Sequence, residues 1–217
     1  SVAAVGSDAP AERPLTESDW NDGAVSPYFV AKARAERQAW AFARKTGLNL
    51  VAINPASVIG PWFYRHTPST LQFEMLMRGR LPFALPTGFA FVDVRDAAKA
   101  HLLAYERPDA AGRYIAADRY FDMPDLMRFL KALDPTLPVP RRVLPRRLLS
   151  LVPPLDWAQH FLAGTPRQIT QAMVAELGGR YQRVSAERIR RELGWQPMDF
   201  AESVRDTLEW IRKTFPE

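Results

Sequence analysis

The sequence has 217 residues, 47% of them hydrophobic and 24% charged, which is the balance of a globular protein with a sizeable core. It contains no cysteine, which excludes disulfides and thiolate metal sites, and no apolar run approaches the ~20 residues of a membrane-spanning helix. The formal charge is +5, but Lys and Arg are mixed with Asp and Glu along the chain, which favours a solvated surface over nucleic-acid binding.

The chain begins with the small apolar stretch SVAAV at residues 1–5, which is predicted to be a short buried strand. A chain that starts so abruptly, and not at a methionine, is predicted to lack the N-terminal half of a longer protein. Residues 7–25 are polar and turn-rich and are predicted to form a loop. The start shows no signal-peptide pattern and the chain has no cysteine, so a reducing, cytoplasmic location is expected.

A helix is predicted next, with Ser26 as the N-cap and Pro27 at the first helical position. It runs to about Thr46 and stops at Gly47, a typical C-terminal glycine. LNLVAINP, residues 48–55, is a continuous apolar run that predicts a strand buried on both faces. Strand, helix and strand make a βαβ unit, which implies a parallel sheet with a right-handed crossover.

PASVIGP, residues 55–61, is predicted to be a loop at the carboxyl end of that strand, the edge where open parallel sheets bind ligands. Residues 135–166 hold seven prolines, which predict short helices joined by stiff turns. The other predicted elements are helices at 69–78, 97–106 (capped by Asp96), 123–133, 166–177, 185–193 and 200–214, and strands at 88–94 and 112–117.

These elements predict an α/β fold, with the C-terminal half of a doubly wound parallel sheet followed by a smaller α+β domain. The boundary is predicted near residue 64: residues 1–64 complete the sheet domain and 65–217 form mainly the second domain. Residues of about 88–107 are expected to return to the first domain.

Tyr28 and Lys32 form a YxxxK pair on the predicted helix, one turn apart on the same face, so both can address one ligand. Free tyrosine has a pKa of about 10 and is a poor acid–base catalyst at neutral pH, but a nearby ammonium favours the phenolate. Lysine also has spare donors for ribose hydroxyls. YxxxK also occurs by chance in many helices, so the pair alone leaves open a structural interpretation.

The order of several segments resembles the extended short-chain dehydrogenase/reductases of the NAD-dependent epimerase/dehydratase superfamily, in the dihydroflavonol-reductase and cinnamoyl-CoA-reductase-like branch. The matching segments are SVAAVG, YFVAKARAERQAW, INPASVIGP, FVDVRDAAKAHLLAYE, GRYIAA and the closing ELGWQPMDFAESVRDTLEWI. The resemblance implies a Rossmann-like sheet domain, a substrate-binding domain, a small carbonyl or alcohol substrate, NADP or NAD as cofactor, and a homodimer.

The resemblance also implies roles for five residues. Tyr28 is similar to the family's general acid for carbonyl reduction, and Lys32 to the residue that holds the nicotinamide ribose and stabilises the phenolate. Ser1 matches the serine that orients the substrate carbonyl. Pro55 and Val58 match positions that line the nicotinamide, although a proline turn that merely ends the strand is the alternative.

Other residues are less specific. Thr70 falls where the family often has a hydroxyl near the cofactor phosphates, but it could equally be an early helix residue beside a capping Ser69. Asp93 and Asp96 are interpreted as structural, in a segment that joins the two domains in the family. Residues 62–64, Trp-Phe-Tyr, could wall an apolar substrate pocket or pack in the core.

The sequence contains no GxGxxG, GxxGxxG or P-loop motif, so the family's phosphate-binding turn is expected upstream of Ser1. Without it, these residues alone are not expected to bind cofactor well, and the choice between NAD and NADP stays open. The three histidines have no metal-ligand spacing, so no metal site is expected.

Two alternatives to a carbonyl reductase remain. One is a nucleotide-sugar epimerase/dehydratase or a hydroxysteroid-dehydrogenase-like enzyme, since one fold and one catalytic set serve all of these reactions. The other is a non-catalytic nucleotide-sensing or scaffold protein, which the missing Gly-rich half favours and the intact Ser1, Tyr28 and Lys32 oppose.

Overall fold

The structure, a computed structural model, describes residues 1–163 and 171–216. Its helices are α1 (Pro27–Thr46), α2 (Pro68–Met77), α3 (Val94–Glu106), α4 (Met123–Leu133), α5 (Val152–Ala163), α6 (Gln171–Leu177), α7 (Glu187–Leu193) and α8 (Phe200–Thr214). Its strands are β1 (Val51–Pro55), β2 (Ser57–Ile59), β3 (Gly88–Asp93), β4 (Gly112–Ala116) and β5 (Arg119–Asp122). The α/β class predicted from the sequence is confirmed.

The strands form two small sheets. In the first, β1 and β4 are parallel, with Val51 opposite Gly112 and Pro55 opposite Ala116. In the second, β3 lies between β2, to which it is parallel, and β5, to which it is antiparallel. Parallel pairing places the carboxyl ends of β1 and β4 at the same edge, directly before the 55–61 segment.

The predicted strand at SVAAV is wrong, because residues 2–4 form a 3₁₀ helix. Ser1 begins this turn, since its hydroxyl accepts the N–H of Ala3 at 3.3 Å and its carbonyl accepts the N–H of Ala4 at 2.9 Å. These local bonds occupy the backbone groups that a strand would offer to a neighbour. The expected burial is nevertheless present, as Val2 and Val5 are 5% and 1% exposed.

Three other predictions of secondary structure need correction. The predicted loop at 55–61 contains β2, because Ser57–Ile59 pair with β3. The strand predicted over 48–55 begins only at Val51, and β5 was not predicted. The predicted helix at 166–177 is present as α6, while its residues 166–170 lie outside the described ranges.

Two hydrophobic clusters hold the elements together. Trp195, Tyr114 and Ile115, each at most 1% exposed, belong to the cluster that packs the first sheet against α3 and α7. Phe91 and Phe73 belong to the second cluster, which packs β3 against α2, α4 and α8. The division of the chain near residue 64 stays a prediction, and the pairing of β1 with β4 shows that the first sheet also uses residues 112–116.

The start of α3 differs from the prediction that Asp96 caps it. The N-cap is Asp93, whose carboxylate accepts the N–H of Arg95 at 2.8 Å, so the helix begins at Val94. Asp93 also accepts the Ser203 hydroxyl at 2.5 Å and is paired with the Arg95 guanidinium. Burial would raise the pKa of Asp93, but the hydrogen bonds from Arg95 and Ser203 outweigh it and hold that pKa below its usual range.

We expect Asp93→Ala to destabilise the fold by about 2–4 kcal/mol, because it removes a helix cap and leaves the buried Ser203 hydroxyl without its acceptor. The matched control is Asp199→Ala, which removes the exposed N-cap of α8 and should cost only about 1 kcal/mol. Urea unfolding of both variants makes the comparison, and equal losses would contradict the buried role of Asp93.

The contribution of Asp93 to the free energy of unfolding is expected to depend on pH. Because the folded-state pKa of Asp93 is depressed, its contribution to stability is present above pH of about 4 and is lost as the pH falls through the lower folded-state value. The acid slope of the unfolding free energy should therefore be shallower in Asp93→Asn than in the unsubstituted chain.

Candidate active site

Tyr28 and Lys32 lie on the first two turns of α1, on one exposed face. The helix begins as predicted at Pro27 and ends at Gly47, whose φ of 73° is in the left-handed region. The Lys32 Nζ atom is 5.6 Å from the centroid of the Tyr28 ring. Tyr28 is 54% exposed, and no carboxylate of residues 1–163 or 171–216 forms an ion pair with Lys32. Both functional groups are therefore open to a ligand.

Ser1 contacts Asn54, which is near the end of β1. The Asn54 side-chain amide donates to the Ser1 carbonyl at 3.2 Å and to the Glu36 carboxylate at 2.7 Å. Glu36 follows Lys32 by one turn of α1 and Tyr28 by two, so it continues the same face of the helix. The Asn54 amide thus links the Ser1 backbone to Glu36 on α1, and an approach of the Ser1 hydroxyl to Tyr28 stays a prediction.

A buried ion pair then fastens this face to the first sheet. The Arg113 Nε atom of β4 donates to Glu36 at 2.6 Å, and the two side chains are 6% and 11% exposed. Arg113 also donates to the carbonyls of Glu17 and Asp19 at 2.8 and 2.6 Å, and its guanidinium lies 3.9 Å from the Trp20 ring centroid. Arg113 therefore holds α1, β4 and the loop before α1 together.

Pro55 and Val58 follow Asn54 at the carboxyl edge of the parallel strands. Pro55 is the last residue of β1, opposite Ala116, and Val58 is in β2, opposite Val92. Both are partly buried. Pro55 directly follows Asn54, Val58 lies in the next strand, and the contact of both with a cofactor stays a prediction.

Thr70 lies apart from this group in the described contacts. It is fully buried, and its hydroxyl accepts the N–H of Thr67 at 2.8 Å in the capping box that begins α2, so Thr67 and not Ser69 is the N-cap. A second contact joins the Thr70 hydroxyl to His66 at 3.3 Å. The geometry favours the capping role, and a phosphate contact from Thr70 stays a prediction that would require these bonds to open.

The remaining candidates have structural surroundings. The Asp96 carboxylate accepts the N–H of Met198 at 3.0 Å and so fastens α3 to the segment before α8. Burial raises the pKa of Asp96, and this hydrogen bond offsets part of the rise. Phe63 packs edge-on against Trp210 at 5.7 Å, whereas Trp62 and Tyr64 are 75% and 97% exposed.

The described residues offer neither a metal site nor a membrane-spanning helix. No group of three or more His, Asp or Glu side chains there could hold a metal ion. None of the described helices is long and apolar enough to cross a membrane. A cavity of about 280 Å³ near the end of β4 is lined by residues that include Asp118, Arg119 and Arg190, and by none of the predicted site residues.

Sequence reasoning missed Asn54, Glu36 and Arg113. Asn54 and Arg113 stand inside INPASVIGP and GRYIAA, two of the segments that carry the family resemblance, but neither residue was predicted as part of the site. Glu36 had a usable signal, since it lies eight residues after Tyr28 and therefore on the same helical face. Its partner could not be foreseen, because Arg113 is 77 residues away in the chain.

The chain is similar to known proteins in sequence and in fold. Residues 1–117 match the family model of the NAD dependent epimerase/dehydratase family. Cinnamoyl-CoA reductase CAD2 of Medicago truncatula is 34% identical over 129 residues, which span 59% of this chain and 39% of that protein. A putative dihydroflavonol 4-reductase of Synechocystis is 28% identical over 196 residues, spanning 87% of this chain and 55% of that protein.

Vestitone reductase from alfalfa has a similar solved structure, with a TM-score of 0.70 and 19% identity over 98% of this chain and 62% of that one. At this identity the likeness concerns the fold. The chain spans less than two thirds of the length of each of these relatives.

We expect Glu36→Gln to lower the free energy of unfolding by about 3–5 kcal/mol, because it leaves the buried Arg113 charge uncompensated. Glu209→Gln, which removes an exposed carboxylate paired with Lys213 on α8, is the control and should have little effect. Adding Arg113→Met to Glu36→Gln should recover part of the loss. Urea unfolding of the three variants checks this, and a loss no larger than that of the control would show that the pair does not anchor α1.

Proposed function

Because the chain belongs to the NAD dependent epimerase/dehydratase family, as its sequence predicted, we propose that it carries the proton-transfer residues of an NAD(P)-dependent oxidoreductase. The substrate class is a small molecule with a carbonyl group, or the corresponding alcohol in the reverse direction. The observation that carries the proposal is the Lys32 ammonium lying 5.6 Å from the Tyr28 ring centroid on an exposed face of α1.

The residues present suit the nicotinamide end of such a cofactor. The Lys32 ammonium has three donors and no competing carboxylate among the described residues, so it can donate to ribose hydroxyls. Pro55 and Val58 offer an apolar wall at the carboxyl edge of the sheet, where ligands of parallel sheets bind. When bound, NADP or NAD supplies or accepts the hydride.

Side chains of this chain transfer the proton and orient the substrate. In reduction, Tyr28 donates its phenolic proton to the carbonyl oxygen as that oxygen gains charge, and the Ser1 hydroxyl orients the same oxygen. Lys32 stabilises the phenolate that is left behind. In oxidation the phenolate takes the alcohol proton instead.

The magnitude of the Tyr28–Lys32 interaction depends on water. Two opposite charges about 6 Å apart attract by about 3 kcal/mol at an effective dielectric constant of 20, but by less than ~1 kcal/mol in bulk water. Tyr28 is 54% exposed here, so a bound cofactor and substrate that exclude water would strengthen the interaction. The proposed pair is thus most effective once the site is filled.

We also propose that the protein forms a homodimer in which the partner covers α1. Two exposed apolar side chains on or beside this helix support the dimer, Phe42 at 60% and Leu48 at 55%. Size-exclusion chromatography with light scattering tests it.

We propose in addition a cytoplasmic location, with which the absence of cysteine is consistent.

Tyr28→Phe is expected to lower turnover by at least about 100-fold while nicotinamide binding changes little, because only the transferable proton is removed. Lys32→Met should lower turnover and also weaken cofactor binding. The assay follows oxidation of NADPH and NADH by absorbance over a panel of aldehydes and ketones, using the full-length protein.

The matched control is Tyr105→Phe, which removes the hydroxyl of a tyrosine that is 89% exposed on α3 and should leave turnover unchanged. Cofactor affinity is measured separately by the quenching of intrinsic tryptophan fluorescence. Full activity of Tyr28→Phe would overturn the mechanism.

A further inference from the structure

A buried carboxylate from the distant helix α6 meets the backbone just before α1. Glu176 is 0% exposed. One of its oxygens, Oε2, accepts the N–H of Val25 at 2.6 Å and the N–H of Ser26 at 2.8 Å. Ser26 is the N-cap of α1, and Tyr28 is two residues further on. Glu176 therefore contacts the chain immediately beside the proposed acid, from 150 residues away.

The second oxygen of Glu176 faces side chains. The Asn21 amide lies 3.5 Å from Oε1, and the Arg180 guanidinium lies 3.8 Å from the same oxygen. The Ser7 hydroxyl also donates to the Glu176 carboxylate. Burial would raise the pKa of Glu176, but the hydrogen bonds from Ser7, Ser26 and Val25 outweigh it and keep this pKa low. The carboxylate is therefore a fixed anion with donors on both oxygens.

The helix α1 has few other means of holding its N-terminal end in place. The Ser26 side chain makes no capping hydrogen bond, and among the twenty residues of α1 only Ala33 and Ala43 are buried. The apolar side chains of its first turn, Phe29 and Val30, are only partly buried, so their contribution to holding this end is limited. Glu36 anchors the third turn through Arg113, and the bonds from Glu176 hold the backbone just before the first turn, which carries Tyr28.

We propose that Glu176 is a positioning residue for the reaction, because it fixes the N-terminal end of α1 and with it the phenol of Tyr28. The inference rests on the proposed function, in which Tyr28 transfers the proton. Misplacing a reacting group by about 1 Å can cost about 100-fold in rate. α6 thereby takes part in the catalytic geometry without touching the reacting atoms.

Three variants distinguish the effect of the length of the Glu176 side chain from the effect of its charge. Glu176→Gln keeps one oxygen for the two N–H groups, while its amide nitrogen takes the place of the oxygen that faces Asn21 and Arg180. Glu176→Asp keeps the charge but is one methylene too short to reach both N–H groups. Glu176→Ala removes both. The control is Asp96→Ala, which removes another buried carboxylate that accepts a backbone N–H, in contact with Met198 and remote from α1.

Two readouts are measured on the full-length protein. Hydrogen exchange at the Val25 and Ser26 amides reports the anchor directly and needs no activity. We expect exchange there at least about tenfold faster in Glu176→Ala and Glu176→Asp, with little change in Glu176→Gln or Asp96→Ala. Turnover per folded molecule should fall by about 100-fold in Ala and Asp, with unchanged KM for the cofactor, and should be largely retained in Gln.

The outcomes distinguish the claims. Unchanged exchange in Glu176→Asp, or wild-type turnover in a variant whose anchor is lost, overturns the positioning role. If Glu176→Ala does not fold, the comparison of Gln with Asp still decides, since turnover kept by Asp and lost by Gln would contradict it. Failure of the proposed function appears elsewhere, as a Tyr28→Phe variant that keeps its turnover.

Discussion

The ion pair between Glu36 and Arg113 is the constraint on which the candidate site depends. Only two residues of α1 are buried and its larger apolar side chains are at most partly buried, so polar contacts add to apolar packing in setting its position over the sheet. Arg113 reaches α1 from β4 and also donates to two carbonyls of the loop before α1, while Asn54 extends the network to Ser1. Because charges buried at this depth are costly unless paired, the geometry is restrictive: if either partner is lost, the other charge is left in the interior.

The same geometry explains how an exposed tyrosine could serve in proton transfer. Tyr28 and Lys32 are exposed, whereas Glu36, one turn beyond Lys32, is largely buried against β4. This contact thus holds the helix, and the exposed N-terminal end remains free for a ligand that would displace water. Fixed charges stabilise a developing charge most when they need no reorganisation during the reaction.

Local patterns predicted the elements but not the contacts between them. Proline after Ser26 and glycine at 47 are chemical signals within the chain, and both ends of α1 were correct. The strand predicted over the first five residues is wrong, because an apolar composition is compatible with a strand and with a buried turn. The hydrogen bonds to Ser1 are what stabilise the 3₁₀ helix. β2 has three residues and exists through its pairing with β3, more than thirty positions later, which no local pattern contains. Asp93 and Asp96 are both acidic residues near a helix start, and which one caps α3 depends on Ser203 and Met198, far along the chain.

Tyr28 and Lys32 could be found because four residues of sequence separation already define their proximity, whereas Glu36, Arg113 and Glu176 act through partners 77 to 151 positions away. A carboxylate that serves as an anchor has no local signature among the 24 acidic residues of the chain. The consequence concerns the role of the C-terminal part. If it only shaped a substrate pocket, its residues would affect which substrate binds. In the proposed positioning role, the contact of Glu176 with the start of α1 would also affect how well a bound substrate reacts. Substitutions at such anchors would then appear in turnover and not in affinity, which is the kinetic mark of positioning.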